Sequence, residues 1–380
     1  MTDTHANPEY STDQEILGRA EVDDIEAILH AADDWDRGEV IHAVEDNADA
    51  LFTWNYEKGE RPRLDKLYEK AKTSQWNAQT DLDWSIEVDP HTAFSIMTEM
   101  GPEQTFSEPG SPLEHWGDKE WAEFSYESLS WRLSQFMHGE QGALLCTAKI
   151  VETVPWIDAK YYAATQVVDE ARHVEVFAKY LDEKVDANFY PMNPHLGMLI
   201  DDIINDSRWE MTYLGKQIMV EGLALAAFGF MRQMTTEPLL KELLRYVMSD
   251  EARHVAFGVL SLQEFYGELT QAEIRERQEF AFEASVRMRD RFIQQEVWER
   301  MGVPIRPVAE RLLDLPEEQK IFQQMLFSKI VPNCKKLGLL DGGDGWLRKR
   351  FTEIGVIQFE DWTDTADEFE TFALDAEESA

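Results

Sequence analysis

The hexapeptide Asp-Glu-Ala-Arg-His-Val occurs twice, at 169–174 and at 250–255. Glu170 and His173 stand three positions apart, as do Glu251 and His254, so on a helix each pair projects from one face and can ligate one centre. The copies are offset by 81 residues, and the same offset carries Glu140 onto Glu221 and Ala143-Leu144 onto Ala224-Leu225. Each lone glutamate therefore precedes the glutamate of its Glu-x-x-His unit by 30 residues. Two lone glutamates and two Glu-x-x-His units, delivered by four helices, are the donor set of a two-metal carboxylate site in a bundle core. Four carboxylates and two imidazoles suit iron, leave manganese open and disfavour zinc. The six metal-ligand and catalytic candidates are Glu140, Glu170, His173, Glu221, Glu251 and His254.

The other letters of the repeat supply support for those ligands. Asp169 lies four residues before His173 and Asp250 four before His254, a spacing that predicts each aspartate holding the imidazole of its own helix. Arg172 and Arg253 follow the aspartates by three positions and neutralise them. A bland alternative is a duplicated hairpin whose acids merely pair with these arginines, but four glutamates among Leu, Ala and Phe are costly to bury without further cations. Spacing alone is not specific: Glu39 and His42 form a third Glu-x-x-His, with Glu9 again 30 residues earlier, yet that set lacks the Asp and Arg neighbours. His138, two positions from Glu140, reads as structural or supporting, and Cys146 as a small core residue. Phe136, Gln166, Phe177, Gln217, Phe228, Val247 and Gly258 fall at helical spacings from the ligands, where a subset should line a substrate cavity.

To bring the six together the chain must fold back between each lone glutamate and its partner unit. TVPW (153–156) and TTEP (235–238) each offer a Thr N-cap and a nearby Pro at the middle of the two 30-residue intervals. Equal arms of roughly 15 residues then return Glu140 to Glu170 and Glu221 to Glu251. DANFYPMNPHLG (186–197) reads as the connection between the two hairpins. The expected fold is all-α, a four-helix bundle with additional N- and C-terminal helices. Residues 1–14 read as a disordered terminus, 15–117 as a helical extension packed on the bundle with Trp35, Trp54, Trp76 and Trp84 as anchors, and 118–268 as the bundle. Residues 269–355 read as further helices of the same domain, including one long helix over 271–301, and 356–380 as a solvated acidic tail.

Composition narrows the partners. A formal charge of −38 over 380 residues repels nucleic acid and anionic membranes, so neither is expected. Cys146 and Cys334 are the only cysteines, and the polar, acidic start lacks the pattern of a secretory signal, which fits a cytoplasmic protein. The apolar run GLALAAFGFM (222–231) is about half the length needed to cross a bilayer and reads as a buried helix.

The order of lone Glu, DEARH, lone Glu, DEARH over 118–268 resembles the ferritin-like di-iron carboxylate superfamily, in particular its oxygen-activating branch of bacterial hydroxylases, ribonucleotide reductase small subunits and N-oxygenases. A fainter likeness extends to KAKTSQWNAQTDLDW (70–84). The resemblance implies two Fe ions, or Mn in one or both positions, held by the six residues above. It implies dioxygen activation and oxidation of a small organic substrate, as a monooxygenase or related oxidase. It also implies electrons from a separate reductase or ferredoxin, and a homodimer. Departures set the chain apart from named subtypes. Phe177 stands where reductase small subunits carry a radical tyrosine, Leu225 where multicomponent hydroxylases place a threonine, and Val247 where aminoarene N-oxygenases add a histidine. The alternatives are an iron-handling ferroxidase or store, and a radical-generating or Mn/Fe partner subunit.

Overall fold

A computed structural model describes residues 17–19, 21–31, 50, 55–91, 106, 109–315 and 320–367. The disordered-terminus reading of 1–14 and the decoy set Glu9, Glu39 and His42 lie outside the described residues, as do Trp35 and Trp54. Among the described residues there is no strand, as the absence of alternating patterns leads one to expect.

Among the described residues two short helices come first, α1 (Ile25–His30) and α2 (Pro62–Thr73). The first hairpin pairs α3 (Asp118–Thr153) with α4 (Ile157–Lys184). A crossover containing α5 (Pro194–Asn205) leads to the second hairpin, α6 (Trp209–Met234) and α7 (Pro238–Tyr266). The turns fall where the sequence places them, but the caps differ. Trp156 precedes α4 without a side-chain cap, and Glu237, not a threonine, caps α7 by accepting from the backbone N–H groups of Leu239 and Leu240. A carboxylate at that end offsets the positive pole of the helix, and Pro238 at the first helical position loses no hydrogen bond.

The four long helices enclose one apolar core that includes Leu133, Phe136, Phe177, Leu214, Phe228, Leu243 and Phe257, all buried. Helix α2 lies across α4 and α7. Helix α8 (Gln271–Asp290), started by a capping box between Thr270 and Glu273, packs on α5 and α6. The long helix expected over 271–301 is broken: Gln294 takes a left-handed backbone (φ 57°), and a separate helix runs over Gln295–Arg300. Ser128 donates to the Gln294 side chain at 2.6 Å, anchoring that turn on α3.

The acidic end is not solvated from 356 onward. Phe359, Thr365 and Ala366 are buried, and Asn333 pairs with both the backbone and the hydroxyl of Thr365. Apolar residues at 356, 359 and 366 outweigh the surrounding acids, so the last element belongs to the packed C-terminal layer; 368–380 lie outside the described residues. Helix α6 spans 26 residues, long and apolar enough to cross a bilayer, and so exceeds the run read from the sequence. Yet 78% of its most apolar window is buried by the rest of the chain, which makes it the central core helix.

Candidate metal centre

Helices α3, α4, α6 and α7 bring the six candidates to one place, and none is more than 4% exposed. Their ligand atoms form two groups within 4.8 Å: Glu140, Glu170, His173 and Glu251, and Glu170, Glu221, Glu251 and His254. Glu170 and Glu251 belong to both. The lone glutamates Glu140 and Glu221 each belong to one, so the hairpins return their arms as the repeat predicts.

Both imidazoles present Nδ1 to the carboxylates. His173 Nδ1 lies 3.2 Å from Glu140 and 3.0 Å from Glu251, while His254 Nδ1 lies 3.3 Å from Glu170 and 3.4 Å from Glu251. With Nδ1 turned inward, Nε2 points away from its own helix, beyond the reach of a short aspartate on that helix. The aspartate pairing expected within each repeat is therefore overturned. His173 Nε2 meets Asp250 at 3.1 Å and His254 Nε2 meets Asp169 at 3.3 Å, each across the bundle. The reciprocal pairing of 169 with 254 and 173 with 250 shows that α4 and α7 run antiparallel. The two arginines tie the layer together: Arg172 donates to Asp169 at 2.5 Å and to Asp250 at 2.9 Å, and Arg253 donates to Asp250.

Residues after α2 close this layer from outside. The Trp76 indole N–H donates to Asp250 at 2.7 Å, and Gln75 donates to Asp169 at 3.1 Å while accepting from Arg172. Trp76 also carries the Arg172 guanidinium over its ring at 4.7 Å. These contacts span about a hundred residues or more of sequence, which is why local spacing does not reveal them.

One buried cation was absent from the sequence reading. Lys216 is fully buried, with Nζ 2.7 Å from Glu170 Oε1 and in contact with Glu221 Oε1. It stands in a π-helical stretch of α6, Tyr213–Val220, where the Glu221 N–H bonds the Lys216 carbonyl. In a regular α-helix residues five apart diverge by about 140° around the axis; i→i+5 hydrogen bonding stacks them instead, so Lys216 and Glu221 share a face. A sequence signal existed: Lys216 is the only charged residue besides Glu221 between Glu210 and Arg232. The same stretch supplies Gln217, whose amide exchanges hydrogen bonds with Gln166, itself 2.9 Å from Glu170 and 3.0 Å from Glu221.

The opposite end is apolar. Phe136, Phe177 and Phe228 form an aromatic cluster with ring centres 4.7 to 5.8 Å apart. Val247 is buried core, and His138 is tied to the Tyr190 carbonyl at 2.9 Å, a structural role. Cys146 and Cys334 are free and buried, which pushes both thiols up to about 12. Two surface cavities, one beside Val22, Arg289 and Phe327 and one beside Pro109, Glu310 and Arg311, touch none of the six candidates.

Electrostatics show what the cluster lacks. Burial, together with the Glu251 charge, raises Glu140 well above the usual carboxylate range, and burial raises Glu221 to about 8 despite Lys216. Glu170 is also penalised by burial, yet the cations of Lys216 and His254 hold it well below that range. Burial disfavours charge on both imidazoles, but Glu140 at His173 and Glu170 at His254 win, raising both well above the ordinary histidine value. Glu170 Oε2, Glu221 Oε2, both oxygens of Glu251 and His254 Nδ1 are buried with no hydrogen bond. Orphaned oxygens facing one another are expensive unless cations sit between them. The donor set therefore fits a pair of metal ions.

No protein-family model matches the chain, and no curated protein matches it. Solved structures do. A variant of an R2-like ligand-binding oxidase with an anaerobically reconstituted Mn/Fe cofactor is 19% identical, with 73% of this chain and 93% of the other aligned at a TM-score of 0.46. The R2-like ligand-binding oxidase with aerobically reconstituted metal cofactor after photoconversion is 18% identical over the same shares, also at 0.46. Two antiparallel hairpins joined by one long crossover, each giving a lone Glu and a Glu-x-x-His, settle the architecture. The chain has a ferritin-like fold.

Proposed function

We propose that the protein is a di-metal oxidoreductase that uses dioxygen to oxidise a small, largely apolar organic substrate, with iron as the metal and manganese able to take one or both positions. The observation that carries this reading is the pair of interlocked groups sharing Glu170 and Glu251, fully enclosed by the bundle. Shared carboxylates would hold two ions close enough to act on one small molecule, and a carboxylate-imidazole donor set suits a redox-active metal such as iron or manganese. A pair of reduced ions held by these residues would supply the electrons that dioxygen activation needs.

The chain's own residues do the rest. Glu170 and Glu251 span the two positions, and Glu140 and Glu221 close the outer sides. Asp250 and Asp169 fix the imidazoles with Nδ1 inward. Burial excludes water that would quench a reactive oxidant. The Phe136, Phe177 and Phe228 cluster favours an apolar substrate at the Glu140 end. Hydroxylation, N-oxygenation and desaturation all fall within this reading, with electrons from a separate reductase or ferredoxin and the chain as a homodimer.

Anaerobic loading with ferrous iron tests it. About two irons per chain, followed by oxygen consumption that rises with an aromatic, amine or fatty substrate and yields an oxygenated or desaturated product by mass spectrometry, is the expected result. No bound metal, or tens of irons per chain as a store would hold, overturns it.

A further inference from the structure

The 81-residue repeat builds two nearly equivalent halves, and Lys216 breaks the equivalence. Moved back by 81 residues, Lys216 falls on Gln135, an uncharged side chain that turns away to bond the backbone of Pro191 and Asn193. Lys216 therefore pairs with the lone glutamate Glu221, whereas among the described residues no lysine or arginine pairs with its counterpart Glu140, which meets His173 alone.

The contacts show which. Lys216 Nζ bonds Oε1 of Glu170 and Oε1 of Glu221, the same two oxygens that lie 3.3 and 3.6 Å from His254 Nδ1. Oε2 of Glu170, which faces His173 at 3.7 Å, has no hydrogen bond. The ammonium thus engages the oxygens of the Glu221–His254 position and leaves those of the Glu140–His173 position uncommitted. It cannot withdraw to water, because it is fully buried on a π-helical turn packed against α3, α5, α7 and α8.

We propose that Lys216 is a built-in cation that makes the two metal positions unequal: the position of Glu140, Glu170, His173 and Glu251 fills first, and that of Glu221 and His254 fills second and more weakly. The inference rests on the two-metal reading above. The physical reason is charge. A divalent ion entering the second position meets a positive neighbour within a few ångströms in a dry interior, and must share two carboxylate oxygens already bonded to it. Before any metal arrives, the same ammonium holds Glu170 and Glu221 together, so the site stays assembled.

The test is anaerobic titration of chelator-treated protein with Mn(II), followed by electron paramagnetic resonance and by thermal unfolding. The wild type is expected to bind two ions in steps separated by roughly 10–100-fold, with an isolated-ion spectrum at one equivalent giving way to a spin-coupled pair at two. Lys216→Met is expected to close that gap and show coupling from the first additions, while its metal-free form melts lower than the wild type and recovers on loading. Lys216→Arg is expected to keep the two steps. Glu221→Ala should leave the tight step and Glu140→Ala should remove it, an arm that decides the order of filling even where Lys216→Met fails to fold. Two ions bound in a single step by the wild type, or two steps unchanged in Lys216→Met, overturn the inference while leaving the two-metal site standing. No Mn(II) bound by the wild type overturns both.

Discussion

His173 on α4 is held at Nε2 by Asp250 on α7, at 3.1 Å, and not by the aspartate four residues upstream on its own helix. The antiparallel partner pair, His254 with Asp169 at 3.3 Å, mirrors it. Each half of the repeat thus completes the other half's ligand.

Crossed support predicts crossed damage. Asp250→Asn should weaken metal binding at the position containing His173, and Asp169→Asn at the position containing His254, each by roughly 10–100-fold. Binding isotherms of the two variants, compared with Glu140→Ala and Glu221→Ala, assign each loss. If Asp250→Asn instead behaves like Glu221→Ala, the crossed arrangement does not operate in solution.

The shared and terminal carboxylates should differ in metal count. Glu251→Ala removes a donor from both groups and is expected to leave the chain with little or no iron, whereas Glu221→Ala should retain close to one ion. Elemental analysis after desalting reads this directly. Equal losses in the two variants would contradict the shared role.

Trp76 ties the segment after α2 to the Asp–Arg layer through its indole N–H and its ring. Trp76→Phe keeps an aromatic ring but removes the hydrogen bond to a buried carboxylate, at a cost of roughly 1–3 kcal/mol in denaturant unfolding. A change near zero would mean that Arg172, Arg253 and His173 satisfy Asp250 without it.

Gly258 has no room for a side chain, since a Cβ there would stand 2.4 Å from Cβ of Gln217. Gly258→Ala should destabilise the fold by roughly 1–3 kcal/mol by pushing α7 off the π-helical stretch. Circular dichroism melts would show the loss, and an unperturbed melting temperature would argue against that close approach.

His195, at the start of α5, is buried with Nδ1 unpartnered, and burial lowers its pKa from 6.5 to about 4. The folded state therefore disfavours the protonated ring. Its contribution is intact above about pH 6.5 and is lost as pH falls from there toward 4, by about 3 kcal/mol in all. His195→Gln should flatten this part of the stability-versus-pH curve relative to the wild type, and parallel curves would refute the assignment.

Much of the site is legible in the sequence because it is written in local intervals. The i, i+3 spacing of Glu170 with His173 and of Glu251 with His254 fixes which face of each helix carries ligands. The common 81-residue offset identifies Glu140 and Glu221, and Pro155 and Pro238 mark where the arms turn. The break at Gln294 was not legible, because it depends on a hydrogen bond from Ser128 on another helix. The packing of 356–367 was hidden by its acids, which mask the three apolar residues that bury.

By itself the sequence determined an all-helical chain, two hairpins and six inward side chains, since helical periodicity and turn chemistry act over a few residues. Tertiary structure decided who supports whom. Asp250 reaches His173 rather than His254 because antiparallel packing brings the far end of each imidazole to the opposite helix. Lys216 enters the centre because a π-helical stretch turns it onto the face of Glu221. Both outcomes depend on the rotation and approach of packed helices, which residue spacing along one chain does not encode.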